Sequence, residues 1–227
     1  MCGRYFLTTP GEVLADLFEA GSASEAPSLS PRYNIAPTQQ VPIVRLGAEG
    51  RRELALASWG LVPIWAKEKA IGNKLINGRA ETLAEKPSFR DAYKKRRCVL
   101  PADGYFEWKR VGTVKQPYAF RARDGRPFAL AGLWSFWKDP ATGEPLESCA
   151  ILTTSPNELA ATVHDRMPVI LEQEKLPLWL DGGAPTPSFT ELFFNPFPAA
   201  GMLAYPVSRR VNSPANDTPD LIEPLPA

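Results

Sequence analysis

The chain opens MCGRYFLTT, with a cysteine directly behind the initiator methionine. Small second residues normally permit removal of that methionine, and Cys2 then carries a free amine and a thiol on adjacent carbons. Unperturbed, those groups titrate near ~8 and ~8.5, so both are partly available as nucleophiles at neutral pH. An aldehyde meets such a 1,2-aminothiol in two stages: the amine condenses to an imine, then the sulfur closes a five-membered ring. An N-terminal nucleophile can also attack acyl groups. Either chemistry needs residue 2 exposed as the chain terminus, inside a cleft. The plainer reading is a small apolar side chain at the start of a strand.

Other residues suit the same chemistry. His164, the only histidine, stands in VHDRMP beside Asp165 and Arg166, a polar loop at a helix end. Asn77 stands in LINGRAET, where its amide could donate to a developing oxyanion or hydroxyl while Arg79 holds a phosphate. Glu107 stands in ADGYFEWKR; strand alternation puts it on one face with Tyr105 and Lys109, where a carboxylate can position or deprotonate a nucleophile. Each has an ordinary alternative as well. A lone histidine is often structural, Asn-Gly often marks only a turn, and Glu107 could pair with lysine in solvent.

Arginine and lysine recur at Arg4, Arg51-Arg52, Lys94 to Arg97, Lys109-Arg110, Arg121, Arg123 and Arg209-Arg210, with Trp59, Trp65, Phe106 and Trp108 close by in sequence. A single-stranded nucleic-acid groove uses that combination, charge following phosphates and rings stacking on bases. Solvated faces and core packing account for the same residues separately. The net charge is +1, from 26 basic and 25 acidic residues, so the chain is no general polycation and any basic groove is local.

The elements that must hold these residues are mostly strands. Gly3 to Thr8 predicts the first strand, and Pro10 with Val13, Leu14, Leu17 and Phe18 predicts a helix. Residues 21–31 predict a polar loop, RYNIAPTQ a turn-like passage, and 41–46 and 52–61 strands joined by GAEG. Ser88 predicts the cap of a helix to about Arg96. RCVLP, GYFEWKR, PYAFRAR, RPFALAGLWSFW and LESCAILTT follow as strands, with Asp124-Gly125 as a hairpin turn. Ser155 to Glu158 has capping-box spacing ahead of a helix NELAATV, and a further helix is expected near 172–180. The sum is an α+β fold: one domain over 1–227, an antiparallel β core with flanking helices, long Pro-rich loops, and an extended Pro-rich tail at about 213–227.

At 227 residues, 44 % hydrophobic, the chain can bury one large core. No apolar run is long enough to cross a bilayer, and the N-terminus lacks a signal-peptide layout. An odd set of 3 cysteines, Cys2, Cys98 and Cys149, widely spaced, predicts a reducing cytoplasmic setting without disulfides. With so few thiols and one imidazole, neither a zinc site nor another cofactor is expected.

In order along the chain, MCGRY, RYNIAPTQ, SWGLVPIWA, INGRAET, ADGYFEWK, VHDRMP and YPVSRRVN resemble the SRAP (SOS response-associated peptidase) family, which includes bacterial YedK-type and eukaryotic HMCES-type members. The match runs from Cys2 to about Asn212. The resemblance implies a barrel-like β core and a monomeric protein that binds single-stranded DNA at abasic sites, in the cytoplasm or at the nucleoid. It implies a thiazolidine crosslink between Cys2 and C1′ of the opened sugar, with lyase-type and Met1-removing activities alongside. Carried onto this sequence, Cys2 is the nucleophile, Asn77 orients the sugar and N-terminus, Glu107 handles the α-amine proton, and His164 assists ring opening. Arg4 and Arg79 hold flanking phosphates, with Arg166 as a further candidate. Pro37, Trp65 and Trp108 line the DNA path. One departure is Trp65-Ala66, where YedK-type members commonly carry two tryptophans. The competing readings are a cysteine peptidase or self-processing hydrolase using Cys2 and His164, and a non-catalytic nucleic-acid-binding module.

Overall fold

The computed structural model describes residues 2–22, 29–180, 183 and 185–226. Its strands in chain order are β1 (Tyr5–Leu7), β2 (Gly21–Ser22), β3 (Arg32–Ile35), β4 (Gln40–Leu46), β5 (Arg52–Trp59), β6 (Asn77–Arg79) and β7 (Arg97–Ala102), then β8 (Gly104–Val111), β9 (Val114–Ala122), β10 (Phe128–Lys138), β11 (Pro145–Thr154), β12 (Met167–Pro168), β13 (Ile170–Leu171) and β14 (Met202–Pro206). The α-helices are short: α1 (Gly11–Leu17), α2 (Arg90–Lys95), α3 (Leu176–Leu180) and α4 (Pro187–Phe193). A single α+β domain results.

Strands β11, β10, β7, β4 and β5 pair in that order, and β5 returns to pair with β11, closing a barrel-like ring. A ring of five strands cannot alternate direction all the way round, so one neighbouring pair must run parallel. That pair is β5 with β11, in register Ser148↔Ser58 and Cys149↔Trp59. Every other joint of the ring is antiparallel, as expected of the core, while β6–β11 and β2–β5 are parallel as well. β7 is buried along its whole length, and β10 and β11 lose period-2 exposure where both faces are covered.

The second sheet has the order β14-β9-β8-β1-β3. It packs onto the ring, since Tyr105 and Phe120 share one core cluster with Leu100, Leu130 and Ile151. The first half of β8 is buried and the second half faces solvent, so the β8–β9 hairpin projects from the body. Gly112, at φ +61°, makes its turn. At Gly104 a Cβ would stand 2.3 Å from the Phe120 carbonyl oxygen, which is why β8 can lie so close to its neighbours there. The Asp103 carboxylate ends β1: it accepts from the amides of Thr8 and Thr9 at 2.6 and 2.9 Å and from both hydroxyls at 2.6 Å.

Several local expectations are overturned. Asp124-Gly125 turns the chain, but β9 and β10 enter different sheets and form no hairpin. The residue preceding α2 is Phe89, with no side-chain cap, rather than Ser88. The Ser155–Glu158 box does not form; Asn157 accepts from the Ala160 amide at 2.8 Å, and only a 3₁₀ turn, Ala160–Thr162, follows. Of the expected loop 21–31, positions 23–28 lie outside the described residues, while Gly21–Ser22 are a strand. RYNI is a strand because it pairs antiparallel with β1, Tyr5 opposite Ile35 and Leu7 opposite Arg32, and Asn34 ties it to the tail: its Nδ2 donates to the carbonyls of Val211, Ser213 and Asn216 at 3.2, 3.0 and 2.7 Å. The tail is tied down rather than extended, with Leu221 fully buried and the Leu225 amide donating to the Pro206 carbonyl at 2.9 Å.

Candidate active site

Pairing of β1 with β8 sets the site. Tyr5 stands opposite Tyr105, and the Phe106 amide donates to the Arg4 carbonyl at 2.9 Å. Continued by that register, the start of the chain runs alongside Glu107. β6 lies parallel to β11 with Asn77 opposite Ile151, and the Asn77 Nδ2 donates to the Cys2 carbonyl at 2.8 Å. The Asn77 Oδ1 is buried and has no hydrogen-bond partner among the described residues. Cys2, Asn77 and Glu107, which the sequence spreads over more than a hundred positions, are thus brought together.

The expectation of an exposed residue 2 is not met. Cys2 has no accessible surface in the chain as encoded, with Met1 in place. Burial pushes its thiol well above the usual range, the Glu107 charge pushes the same way, and the Arg4 amide, hydrogen-bonded to the sulfur, only partly offsets them. The sulfur is a neutral thiol at pH 7, not a nucleophile in waiting. Glu107 is 3 % exposed, and burial raises its carboxyl above the ordinary range against the pull of neighbouring positive charge, His164 included.

His164 Nδ1 accepts from the Arg166 amide at 3.1 Å, and Asp165 Oδ1 lies 2.9 Å from the same nitrogen. One nitrogen cannot serve both at once. Neutral, Nδ1 accepts from Arg166 and the ring proton sits on Nε2; charged, Nδ1–H turns to Asp165. The imidazole therefore has a built-in place for a gained proton.

Glu107, Trp108, His164 and Asn212 line an open cleft of about 700 Å³. Trp108 is fixed there by its Nε1, which donates to Asn212 Oδ1 at 2.8 Å. Two cations on the rim, Arg110 and Lys115, stand opposite each other on the β8–β9 hairpin. Sequence reading noted Arg110 only as charge and passed over Lys115 and Asn212; the hairpin register was the missing signal. Tyr105 was noted only for sharing a face with Glu107. Its hydroxyl is buried with no hydrogen-bond partner among the described residues, and Cys2 and Glu107 both act on it electrostatically.

The expected DNA-binding residues divide. Arg79 is exposed. Arg4 is half-buried: its Nη1 donates to Asn34 Oδ1 at 2.8 Å and the Val211 carbonyl at 2.7 Å, and its guanidinium lies 5.9 Å from the Trp108 ring centre. Arg166 is already committed, gripping Glu81 through two nitrogens at 2.6 and 2.9 Å and donating to the Thr153 carbonyl at 2.6 Å. Its charge is balanced by Glu81, whose side chain is 51 % exposed. Pro37 is half-buried in the β3–β4 connection, and Trp65 is 56 % exposed; neither lines the 700 Å³ cleft. Ala66 is buried against Val62 and Trp137, whose indole donates to the Ala66 carbonyl at 2.8 Å. Among the described residues there is no metal-ligand cluster, and no helix is long and apolar enough to cross a membrane.

A family model described as SOS response associated peptidase (SRAP) matches residues 1–214. The abasic site processing protein YoqW of Bacillus subtilis is 43 % identical over 225 residues, covering 98 % of this chain and 99 % of the relative. The abasic site processing protein YedK of Escherichia coli is 30 % identical over 230 residues, covering 99 % and 100 %. A crystal structure of a protein from Bacteroides thetaiotaomicron superposes with a TM-score of 0.88 at 29 % identity, covering 99 % of this chain and 100 % of that one.

Proposed function

Because the chain belongs to the SRAP family, we propose that it recognises abasic sites in single-stranded DNA and captures them covalently through Cys2 once Met1 has been removed. The names of its relatives support the lesion. The observation that carries the chemistry is the grouping of Cys2, Asn77 and Glu107 beside the cleft that His164 lines.

Hydrolysis of the Met1–Cys2 bond comes first and frees the α-amine. The abasic sugar opens when its C1′–O4′ hemiacetal bond breaks: His164 delivers a proton to O4′, and the C1′ hydroxyl gives up its own proton to water as C1′ becomes the aldehyde carbon. The Cys2 amine attacks the C1′ aldehyde, and the carbinolamine loses water to give an imine. Glu107, its carboxyl shifted toward neutrality, takes the proton that the amine nitrogen sheds once it has bonded to C1′ and returns one to the departing hydroxyl. The sulfur then adds to C1′ as its proton passes to nitrogen, closing the thiazolidine. One aldehyde and one aminothiol give one ring and one water. Asn77 holds the Cys2 carbonyl, and with it the nucleophile, in line.

An abasic sugar offers no base to read, so recognition rests on phosphate and on stacking with neighbours. Arg79 and the rim cations Arg110 and Lys115 supply the charge, Arg4 steadies Trp108, and the protein acts as a cytoplasmic or nucleoid-bound monomer without a cofactor. Intact mass spectrometry after incubation with an abasic oligonucleotide tests the reading. The expected product is the chain less Met1, plus the oligonucleotide, less one water, and it is absent from Cys2→Ala. An adduct that persists in Cys2→Ala, or a mass that retains Met1, overturns it.

A further inference from the structure

Ring closure at Cys2 needs a base beside a sulfur that is not a thiolate. Burial holds the Cys2 thiol well above the usual range, so its proton has to leave as the carbon–sulfur bond forms. The Arg4 amide, hydrogen-bonded to the sulfur, can only donate, and the Asn77 Nδ2 is engaged with the Cys2 carbonyl. A group that both accepts and donates is required between the sulfur and the nitrogen that must gain the proton.

Tyr105 is such a group. Period-2 alternation along β8 puts it on one face with Glu107, and the pairing of β1 with β8 sets it opposite Tyr5. Its ring is clamped by packing: it stacks on Phe120 with centres 4.8 Å apart and planes 3° apart, and Phe128 stands at 6.4 Å. Those contacts aim the hydroxyl without a hydrogen bond to hold it. The residue is fully buried, and the hydroxyl has no partner among the described residues. Buried hydroxyls are almost always paired, because leaving one unmade is costly. Phenylalanine would fill the same space without that cost, so the oxygen itself calls for an explanation. The charges that act on it are those of Cys2 and Glu107. Tyr5 carries a second buried hydroxyl with no partner among the described residues, but its surroundings differ. Its ring stands edge-on to Trp59 at 5.3 Å, and Cys149 and Arg32 act on it more strongly than Cys2 does. At Tyr105 the sulfur and the carboxylate converge.

We propose that the Tyr105 hydroxyl carries the ring-closing proton from the Cys2 sulfur to Glu107. The inference rests on the thiazolidine reading of the Cys2 site. Glu107, having given its proton to the departing hydroxyl, is a carboxylate at this stage. As the sulfur bonds to C1′ of the imine, its proton passes to the Tyr105 oxygen while the Tyr105 proton passes to Glu107, which then protonates the nitrogen. The S–H bond and the imine π bond break, the C–S and N–H bonds form, and tyrosine and glutamate end as they began. The two transfers are concerted, because burial keeps the phenol far from ionising on its own.

The test uses the full chain after loss of Met1, with abasic single strands, and counts imine and ring separately. Borohydride reduces an imine to a stable amine and leaves a thiazolidine intact, so quenching at successive times reports both species. In Tyr105→Phe the imine should form at the wild-type rate while ring closure slows about 100-fold, so that the borohydride-trapped amine dominates where wild type shows thiazolidine. Tyr5→Phe, which removes the other buried hydroxyl, should close the ring as wild type does. Both variants should keep wild-type affinity for a strand carrying tetrahydrofuran, an abasic analogue with no aldehyde. Tyr105→Phe should melt no lower than wild type, since its hydroxyl holds no partner. Wild-type ring closure in Tyr105→Phe, parallel slowing of imine and ring, or equal slowing in Tyr5→Phe overturns the relay and leaves the crosslink reading intact. A wild-type chain that forms no adduct, or whose adduct stays fully reducible at all times, overturns both.

Discussion

The Asn77 side chain donates to the Cys2 carbonyl at 2.8 Å across 75 residues of sequence. A backbone carbonyl next to a chain end is normally free to swing. Here it is tied to a strand that is itself paired with β11 of the ring. The mobility expected of a terminus is thereby removed at the residue proposed as the nucleophile.

Asn77→Ala should therefore cost rate far more than affinity. We expect covalent capture of an abasic strand to slow about 10- to 100-fold, as loss of alignment does. Binding of the tetrahydrofuran analogue should stay within about 3-fold, since the phosphate contacts remain. Gel-resolved adduct kinetics and anisotropy separate the two. Parallel losses in both would make Asn77 a binding residue.

Thiol labelling reports the state of the N-terminus. Cys2, Cys98 and Cys149 are all buried, and burial raises all three thiols. A chain that retains Met1 should give no rapid reaction with an aromatic disulfide reagent under native conditions. The processed chain should release one equivalent of thiolate, lost again in Cys2→Ala. Rapid labelling of the unprocessed chain would contradict the burial of Cys2.

Glu107 should trade stability for function. Burial raises its carboxyl in the folded chain above the ordinary value of ~4.3 that it keeps when unfolded. Between those values the folded state holds a proton the unfolded state lacks, so this group's contribution falls as pH rises through the window. Glu107→Gln should melt higher than wild type at pH 7, with the gap closing as pH falls toward 4, and should form adduct more slowly. A lower melting temperature for the variant at pH 7 would mean that its positive neighbours outweigh burial.

Arg79 and Arg166 should part company in salt titrations. Arg79 is exposed, so if it meets a phosphate, Arg79→Ala should lower the slope of log K against log salt by about 0.7. Arg166 is occupied by Glu81 and the Thr153 carbonyl. Arg166→Ala should leave the slope nearly unchanged and destabilise the fold by about 2 kcal/mol through lost charged hydrogen bonds. Salt-dependent anisotropy and denaturant unfolding read the two effects. A slope change in Arg166→Ala as large as in Arg79→Ala would show that its ion pair opens for DNA.

Much of the candidate site was legible in the linear chain. Position alone makes Cys2 an aminothiol after processing, and period-2 alternation in GYFEWKR places Glu107 with Tyr105 on one face. The run of strands from 97 to 154 is also read correctly, because dense apolar and β-branched residues specify a strand locally. Capping failed as a guide near Ser88 and Ser155, where packing decided the helix start. RYNI went unread as a strand because it is made by pairing with β1, Tyr5 opposite Ile35, across a helix and a loop that no short window spans.

By itself the sequence determined the candidate reactive groups and most strands, since bond connectivity and side-chain period are local properties. Only the tertiary structure decided that the ring closes through a parallel β5–β11 pair, that Asn77 reaches Cys2, and that the sulfur starts out buried. Those outcomes depend on pairing between distant segments and on removal of water around them, and neither has a signature in any short window of residues.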